Sequence, residues 1–281
     1  MAVVPVSVVI PALNAERFLA AAIESVQAQT LSVAEIIVVD NGSTDRTARI
    51  AADLGAVVVE EPERGVSRAR NAGINQCRQE WIALLDADDL WDPEKTERQW
   101  AAIQACPNAG LVACYFRVVE DGAVIVELTA ELSEQRWSGY DGRVVQERCS
   151  YFPKLEHDFF PRFQPSCSDA MLKRDVFATV GPFDEAVVYN EDFEFFMRVF
   201  ARYPLAIVEE TLVSCRRHDR KRSLNLQGVR DSLFAIVNHM LLHPEKYPAG
   251  APQVYRDRLK QNFLAVERAL RDDREARQAR S

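Results

Sequence analysis

Apolar and polar positions alternate between two periods along the first hundred residues. Val3 to Ile10 is apolar and β-branched except at Pro5 and Ser7, the pattern of a strand buried on both faces of a parallel sheet. Pro11-Ala12-Leu13-Asn14 breaks it, and Glu16 to Gln29 then carries Phe18, Leu19, Ala22, Ile23 and Val26 at helical spacing. Glu35 to Val39 is a second strand that ends at Asp40. Asn41 to Asp45 is turn chemistry, with Thr44 or Asp45 placed to cap a helix running through Leu54. Ala56 to Val59 is a third strand, Glu60 to Gly65 a charged loop, Ser67 to Gln76 a third helix and Trp81 to Leu85 a fourth strand. This alternation predicts an α/β fold: a parallel sheet with right-handed crossovers and helices on both faces. Such sheets collect ligands at the carboxyl ends of their strands. Asn14, Asp40 and Asp88 stand there.

The pattern then changes. Pro93 to Ala105 is a helix anchored by Trp100 and Ile103, and Leu111 to Val119 and Val124 to Leu128 are strands around an Asp121-Gly122 turn, which predicts mixed pairing. Residues 129–165 are rich in aromatics, Gly and Pro without a clean period, and suit either irregular walls of an acceptor cleft or an aromatic packing layer. Ser168 to Leu172 is a short strand and Lys173 to Val180 a short helix. Asn190-Glu191-Asp192 opens a helix through Tyr203 whose buried side is Phe195, Phe196, Val199 and Phe200. Leu205 to Val208 and Thr211 to Cys215 are two short strands. Two terminal helices are expected, Gly228 to Leu242 and Val254 to Arg277, separated by Pro244 to Pro252.

Composition narrows the function. A chain of 281 residues with 48% hydrophobic residues supports one large domain, or one domain with an appendage. A net charge of -8 argues against a general nucleic-acid binder. Six scattered cysteines, Cys77, Cys106, Cys114, Cys149, Cys167 and Cys215, have no zinc-ligand spacing and suit reduced thiols in the cytoplasm. Met1 leads straight into a strand-like run, so no signal peptide is expected, and no apolar run is long enough to span a bilayer. Neither G-x-G-x-x-G nor G-x-x-x-x-G-K-[ST] follows the first strand, which disfavours dinucleotide and P-loop chemistry.

The stretch Trp81-Ile82-Ala83-Leu84-Leu85-Asp86-Ala87-Asp88-Asp89 concentrates the chemistry. Buried carboxylates need a positive partner. A divalent cation such as Mg2+ or Mn2+ accepts one or two carboxylates plus substrate phosphates. The alternative is an acidic N-cap before Pro93 and Glu94. Asp192, near a helix N-terminus, suits a first-turn carboxylate or a rigidly held general base. Arg216-Arg217-His218-Asp219-Arg220 is either a solvated charge run or a group beside a diphosphate, and His218 a surface histidine, an ion-pair member or a metal ligand.

These blocks together resemble the family 2 glycosyltransferases of the GT-A fold. Val6 to Asn14 is similar to the family's opening strand and donor loop, Glu35 to Thr47, which contains Ile37 to Asp45, to its second block and Gly65-Val66-Ser67-Arg68-Ala69-Arg70-Asn71-Ala72-Gly73 to its third. Leu84 to Asp89 resembles the metal-binding D-x-D block and Asn190-Glu191-Asp192 the downstream E-D block. The resemblance is strong over residues 3–92, fair over 165–220 and absent beyond.

The resemblance implies a mostly parallel Rossmann-like sheet with a smaller mixed sheet. Residues 1–224 would form the catalytic domain, with 1–110 binding the nucleotide sugar and 111–224 the acceptor; residues 225–281 would be a helical extension. It implies that Pro11, Ala12, Asn14 and Glu16 line the nucleotide pocket and that Asp40 accepts from the base of a UDP-sugar. Arg68 approaches base or diphosphate, Asp88 ribose or metal, and Asp89 the metal, with Asp86 the structural edge of the motif. By the same resemblance His218 would complete a Mn2+ or Mg2+ site, Arg216 or Arg217 would help neutralise the leaving diphosphate, and Asp192 would be the general base of an inverting single-sugar transfer to a saccharide or lipid-linked acceptor. Phe18 stands where the family commonly has tyrosine, and the Arg-Arg-His run lacks the Gln and Trp of processive synthases. The implied setting is the cytoplasm or inner membrane face, in polysaccharide or surface glycan synthesis, with peripheral membrane contact and a homodimer left open. A nucleotidyltransferase and a non-catalytic nucleotide-sugar-binding protein are the alternatives.

Overall fold

The computed structural model of the chain describes residues 2–127, 143–146, 148–153, 163, 165–218, 236 and 239–247. Its elements in order are β1 (Val3–Ala12), α1 (Leu19–Gln27), β2 (Ser32–Asp40), α2 (Thr47–Asp53), β3 (Val57–Glu60), α3 (Val66–Gln76), β4 (Trp81–Leu84), β5 (Asp89–Trp91) and α4 (Lys95–Ala105). Then follow β6 (Leu111–Glu120), β7 (Ala123–Glu127), β8 (Arg143–Gln146), β9 (Cys149–Phe152), β10 (Met171–Lys173), α5 (Arg174–Val180), α6 (Glu191–Phe200), β11 (Leu205–Arg217) and a 3-10 turn at Pro244–Lys246. The strands form one sheet in the order β3-β2-β1-β4-β10-β6-β11-β9-β8, with β5 paired to β11 and β7 to β6.

β3, β2, β1 and β4 are parallel, as the alternating pattern requires. The chain leaves β1 toward β2 on one side and returns to β4 on the other, so a topological switch point opens between the ends of β1 and β4. β10 is antiparallel to both β4 and β6, and β6 is parallel to β11. Two reversals restore direction, so the carboxyl end of β11 reaches the same sheet edge as the carboxyl ends of β1, β2 and β4.

Side-chain alternation divides the core between the two faces. Val9, Ile37, Val39, Ile82 and Leu84 pack with α3 and α6 residues such as Ala69, Phe195 and Phe196 on one face. Val8, Ile10, Val38, Trp81 and Ala83 pack with Leu19, Ile23, Ala102 and Ile103 of α1 and α4 on the other. α3 approaches the sheet so closely that a Cβ at Gly73 would stand 2.4 Å from Val9 Cγ1.

Several boundaries differ from the sequence pattern. β1 continues through Pro11 to Ala12, and α1 begins at Leu19 because Asn14 to Phe18 is committed to loop contacts. The Asp121-Gly122 turn is a two-residue connection with both residues at positive φ, as a tight hairpin requires. The acidic triplet runs into β5, whose Asp89, Leu90 and Trp91 pair with Cys215, Ser214 and Val213. The two strands expected over 205–215 are one strand, with register shifts between Val208 and Thr211 and between Thr211 and Val213. β8 and β9 lie in the stretch expected to be irregular. Most of the remainder of 129–165, the helix expected over Val254 to Arg277 and most of that over Gly228 to Leu242 lie outside the described residues. All six cysteines are buried and stand outside any disulfide. Among the described residues no helix is long and apolar enough to cross a membrane.

Candidate active site at the carboxyl ends of the strands

The acidic turn follows β4. Its Asp89 N–H donates to the Asp86 carbonyl at 3.0 Å, and carboxylate oxygens of Asp86, Asp88 and Asp89 all lie within 4.8 Å of one another. Asp86, expected only to edge the motif, therefore belongs to the cluster. Asp89 is 2% exposed, and both of its oxygens accept hydrogen bonds: Oδ2 from Ser168 Oγ at 2.7 Å, Oδ1 from the Arg216 N–H at 3.1 Å. Ser168 is itself held from two sides. Its Oγ accepts the Asp86 N–H at 3.1 Å and its carbonyl accepts the Trp91 indole N–H at 2.8 Å. A buried serine that the sequence marks only as the start of a short strand thus orients the acidic turn, and no motif singles it out.

The end of β11 closes the other side. Alternation sends Arg216 and His218 one way and Arg217 the other. His218 Nε2 lies 2.9 Å from Asp88 Oδ2. The His218 ring stacks on Phe18 with centroids 4.4 Å apart. Arg216 lies 5.1 Å over the same ring and donates to the carbonyls of Asp88 and Phe18. Arg217 is half exposed and stands 3.6 Å from Glu120, outside this group. Phe18 keeps an aromatic surface where a tyrosine was the common expectation, and that surface supports the histidine.

The loops after β1 and β2 are latched to each other. Asn14, at φ 48°, receives the Thr44 N–H on Oδ1 at 2.8 Å and donates its own N–H to Ser43 Oγ at 2.9 Å. Glu16 receives Arg46 Nε at 3.2 Å, and its N–H reaches Asp45 Oδ2 at the same distance. Asp40 accepts the Ser43 N–H at 3.1 Å. Pro11 and Ala12 are the buried last residues of β1. Arg68 is partly exposed between Glu63 and Glu185, 3.2 Å from the latter.

Arg70 occupies the position that the helical period marks for burial. Ser67, Ala69, Arg70, Gly73 and Ile74 form the buried side of α3, and Arg68 lies off it. A charged residue on a core-facing stripe demands partners, a signal that could have singled out Arg70 from sequence. Its Nη2 meets Asp86 Oδ1 and its Nη1 meets Glu191 Oε1, each at 2.8 Å. Asp192 follows in the first turn of α6 and accepts the Phe193 N–H at 2.8 Å. Burial first, then the Glu191 carboxylate, raises the Asp192 carboxyl to about 6, against the opposing pull of Arg70 and the Phe193 N–H; Asp86 adds a smaller upward push. A carboxyl in this state is suited to take a proton near neutrality.

The donor set fits a hard or borderline divalent cation: three clustered carboxylates with an imidazole against one of them.

Residues 7–181 match the family model described as Glycosyl transferase family 2. Curated relatives include an uncharacterized glycosyltransferase of Rickettsia typhi, 27% identical over 220 residues that cover 76% of this chain and 64% of that one. Another is an uncharacterized glycosyltransferase of Methanocaldococcus jannaschii, 25% identical over 229 residues that cover 78% of this chain and 73% of that one. The chain thus spans less than two thirds of the length of the Rickettsia relative. Among solved structures, S. aureus TarS 1-349 in complex with UDP-GlcNAc shares the fold with a TM-score of 0.64 at 16% identity, covering 84% of this chain and 66% of that one.

Proposed function

The chain belongs to glycosyl transferase family 2, and from that premise we propose that it transfers one sugar, with inversion, from a UDP-sugar to an acceptor hydroxyl of a saccharide or lipid-linked glycan. The observation that carries this reading is one acidic turn that meets His218 through Asp88 and, through Asp86, the Arg70–Glu191 bridge beside Asp192. The UDP-GlcNAc complex of the TarS fold neighbour agrees with a UDP donor.

Asp88 and His218, with Asp86 and Asp89 beside them, would hold Mn2+ or Mg2+ in this reading. When bound, that ion supplies positive charge against the developing negative charge of the leaving diphosphate. Arg216 keeps the carbonyls of Asp88 and Phe18 in place and adds a cation at the same end. The latched loops of Asn14, Glu16 and Asp40 shape the nucleotide end, with Pro11, Ala12 and Arg68 along it. Arg217 stands off toward Glu120, on the other side of the strand from Arg216. Asp192 takes the proton of the acceptor hydroxyl as its oxygen bonds to the sugar C1. The bond from C1 to the diphosphate oxygen breaks on the opposite side, and UDP leaves with that electron pair. The fit is to glycan synthesis at or near the inner membrane face.

A screen of nucleotide sugars with Mn2+ or Mg2+ and mixed glycan acceptors tests the reading. Release of UDP with a β-linked product from an α-linked donor is expected. Release of pyrophosphate would place the chain among nucleotidyltransferases, and UDP binding without turnover of any donor would leave a binding protein.

A further inference from the structure

We propose that Arg70 is a positioning residue: it locks Asp86 in the acidic turn to Glu191 at the head of α6, and so fixes Asp192 relative to the donor end of the cleft. The inference rests on the glycosyltransferase reading of Asp192.

The Arg70 side chain is 3% exposed, and its two terminal nitrogens bind carboxylates that stand 105 positions apart in the chain (Asp86 to Glu191), each at 2.8 Å. The Phe183 ring lies 5.3 Å from the guanidinium carbon. A buried ion pair is weak evidence for stability, because apolar packing of equal volume often does as well. What the planar fork adds is direction: two N–H bonds from one rigid plane fix distance and angle for both carboxylates.

The head of α6 needs such a restraint. Its N-cap, Asn190, is left-handed at φ 56° and makes no side-chain capping bond. Part of the restraint on the first turn therefore comes from outside the helix, through the Arg70 contact of Glu191, the residue immediately before Asp192. The neighbouring Asn71 secures the approach to that helix, receiving the Phe183 N–H at 2.9 Å and returning its amide to the Phe183 carbonyl at 3.0 Å. Arg70 and Asn71 together dock the 183–192 stretch on α3, and Arg70 extends that dock to Asp86.

The test compares the full-length wild type with Arg70→Lys, Arg70→Met, Glu191→Gln and the Arg70→Met/Glu191→Gln pair. UDP affinity in Mn2+, transfer kcat and amide exchange are measured in each. UDP affinity is expected to fall far less than transfer kcat, which drops on the order of 100-fold, the scale set by a misplacement of about 1 Å. The double variant should lose no more than the worse single one, because the two residues act as a unit. In Arg70→Lys, amides over 84–90 and 188–196 should exchange faster while those of β1 and β2 do not. If Arg70→Met fails to fold, Arg70→Lys carries the test, since an ammonium keeps the charge but offers no planar fork to span both carboxylates. Wild-type transfer by Arg70→Lys, losses that multiply in the double variant, or UDP affinity falling as steeply as kcat overturns the proposal. Failure of the wild type to transfer any sugar overturns the glycosyltransferase reading instead, and the exchange pattern then decides the bridge on its own.

Discussion

His218 Nε2 rests 2.9 Å from Asp88 Oδ2 across 130 positions of chain. The contact exists because β11, after two antiparallel reversals, runs parallel to β4 and delivers its last residues to the same sheet edge. Phe18 stacks on the imidazole and holds it there.

His218→Ala is expected to weaken Mn2+-dependent UDP binding by at least about 10-fold, since loss of even an outer partner of a metal site costs that much. Titration of UDP at varied Mn2+ checks it. An unchanged Mn2+ dependence would remove His218 from the metal's surroundings.

Ser168→Ala withdraws a hydroxyl from a carboxylate that is 2% exposed. A hydrogen bond to a charged group contributes about 1.5–3 kcal/mol, so urea unfolding should show a loss of that order, together with weaker Mn2+ affinity. Unchanged stability and metal affinity would show that Asp89 does not depend on this donor.

Asp192→Asn preserves shape and removes the base. UDP binding should persist, and transfer should fall by roughly 10²–10⁴, the usual contribution of a positioned acid or base. Lost UDP binding with normal turnover of bound donor would sink the assignment.

The wild-type rate should rise with pH through about 6 and level off above it, because Asp192 must be ionised to accept a proton. Stability should move the opposite way. A carboxyl raised from 3.8 to about 6 holds its proton more tightly in the folded chain than in the unfolded one. Its contribution is therefore present below 3.8 and lost as pH rises through about 6. Melting temperatures against pH should place Asp192→Asn above the wild type on the neutral side, with the gap closing on the acidic side. A gap that does not vary with pH would argue against a raised carboxyl.

Gly73→Ala should destabilise by about 1–3 kcal/mol through overpacking. Its new Cβ would stand 2.4 Å from Val9 Cγ1 and 2.9 Å from Val39 Cγ2, pushing α3 off the sheet. Thermal or urea melting reads the loss, and a neutral result would mean that both valines give way freely.

The sequence by itself determined the strand and helix alternation through β4, because burial on one or two faces writes a period of two or of 3.6 into the residues. It also determined which loops carry carboxylates, and the order of its blocks pointed to the family. Short elements were less legible. β5 has three residues and no period of its own, and it exists because β11 offers it an edge. Ser168 is an ordinary serine until the fold sets it beneath Asp89. Arg68 and Arg70 are two arginines in one motif; helical rotation alone decides that the first stays near the surface and the second is buried between Asp86 and Glu191. Tertiary structure decided these points because each depends on contacts between segments far apart in the chain, and the free energy of such contacts leaves no local periodicity to read.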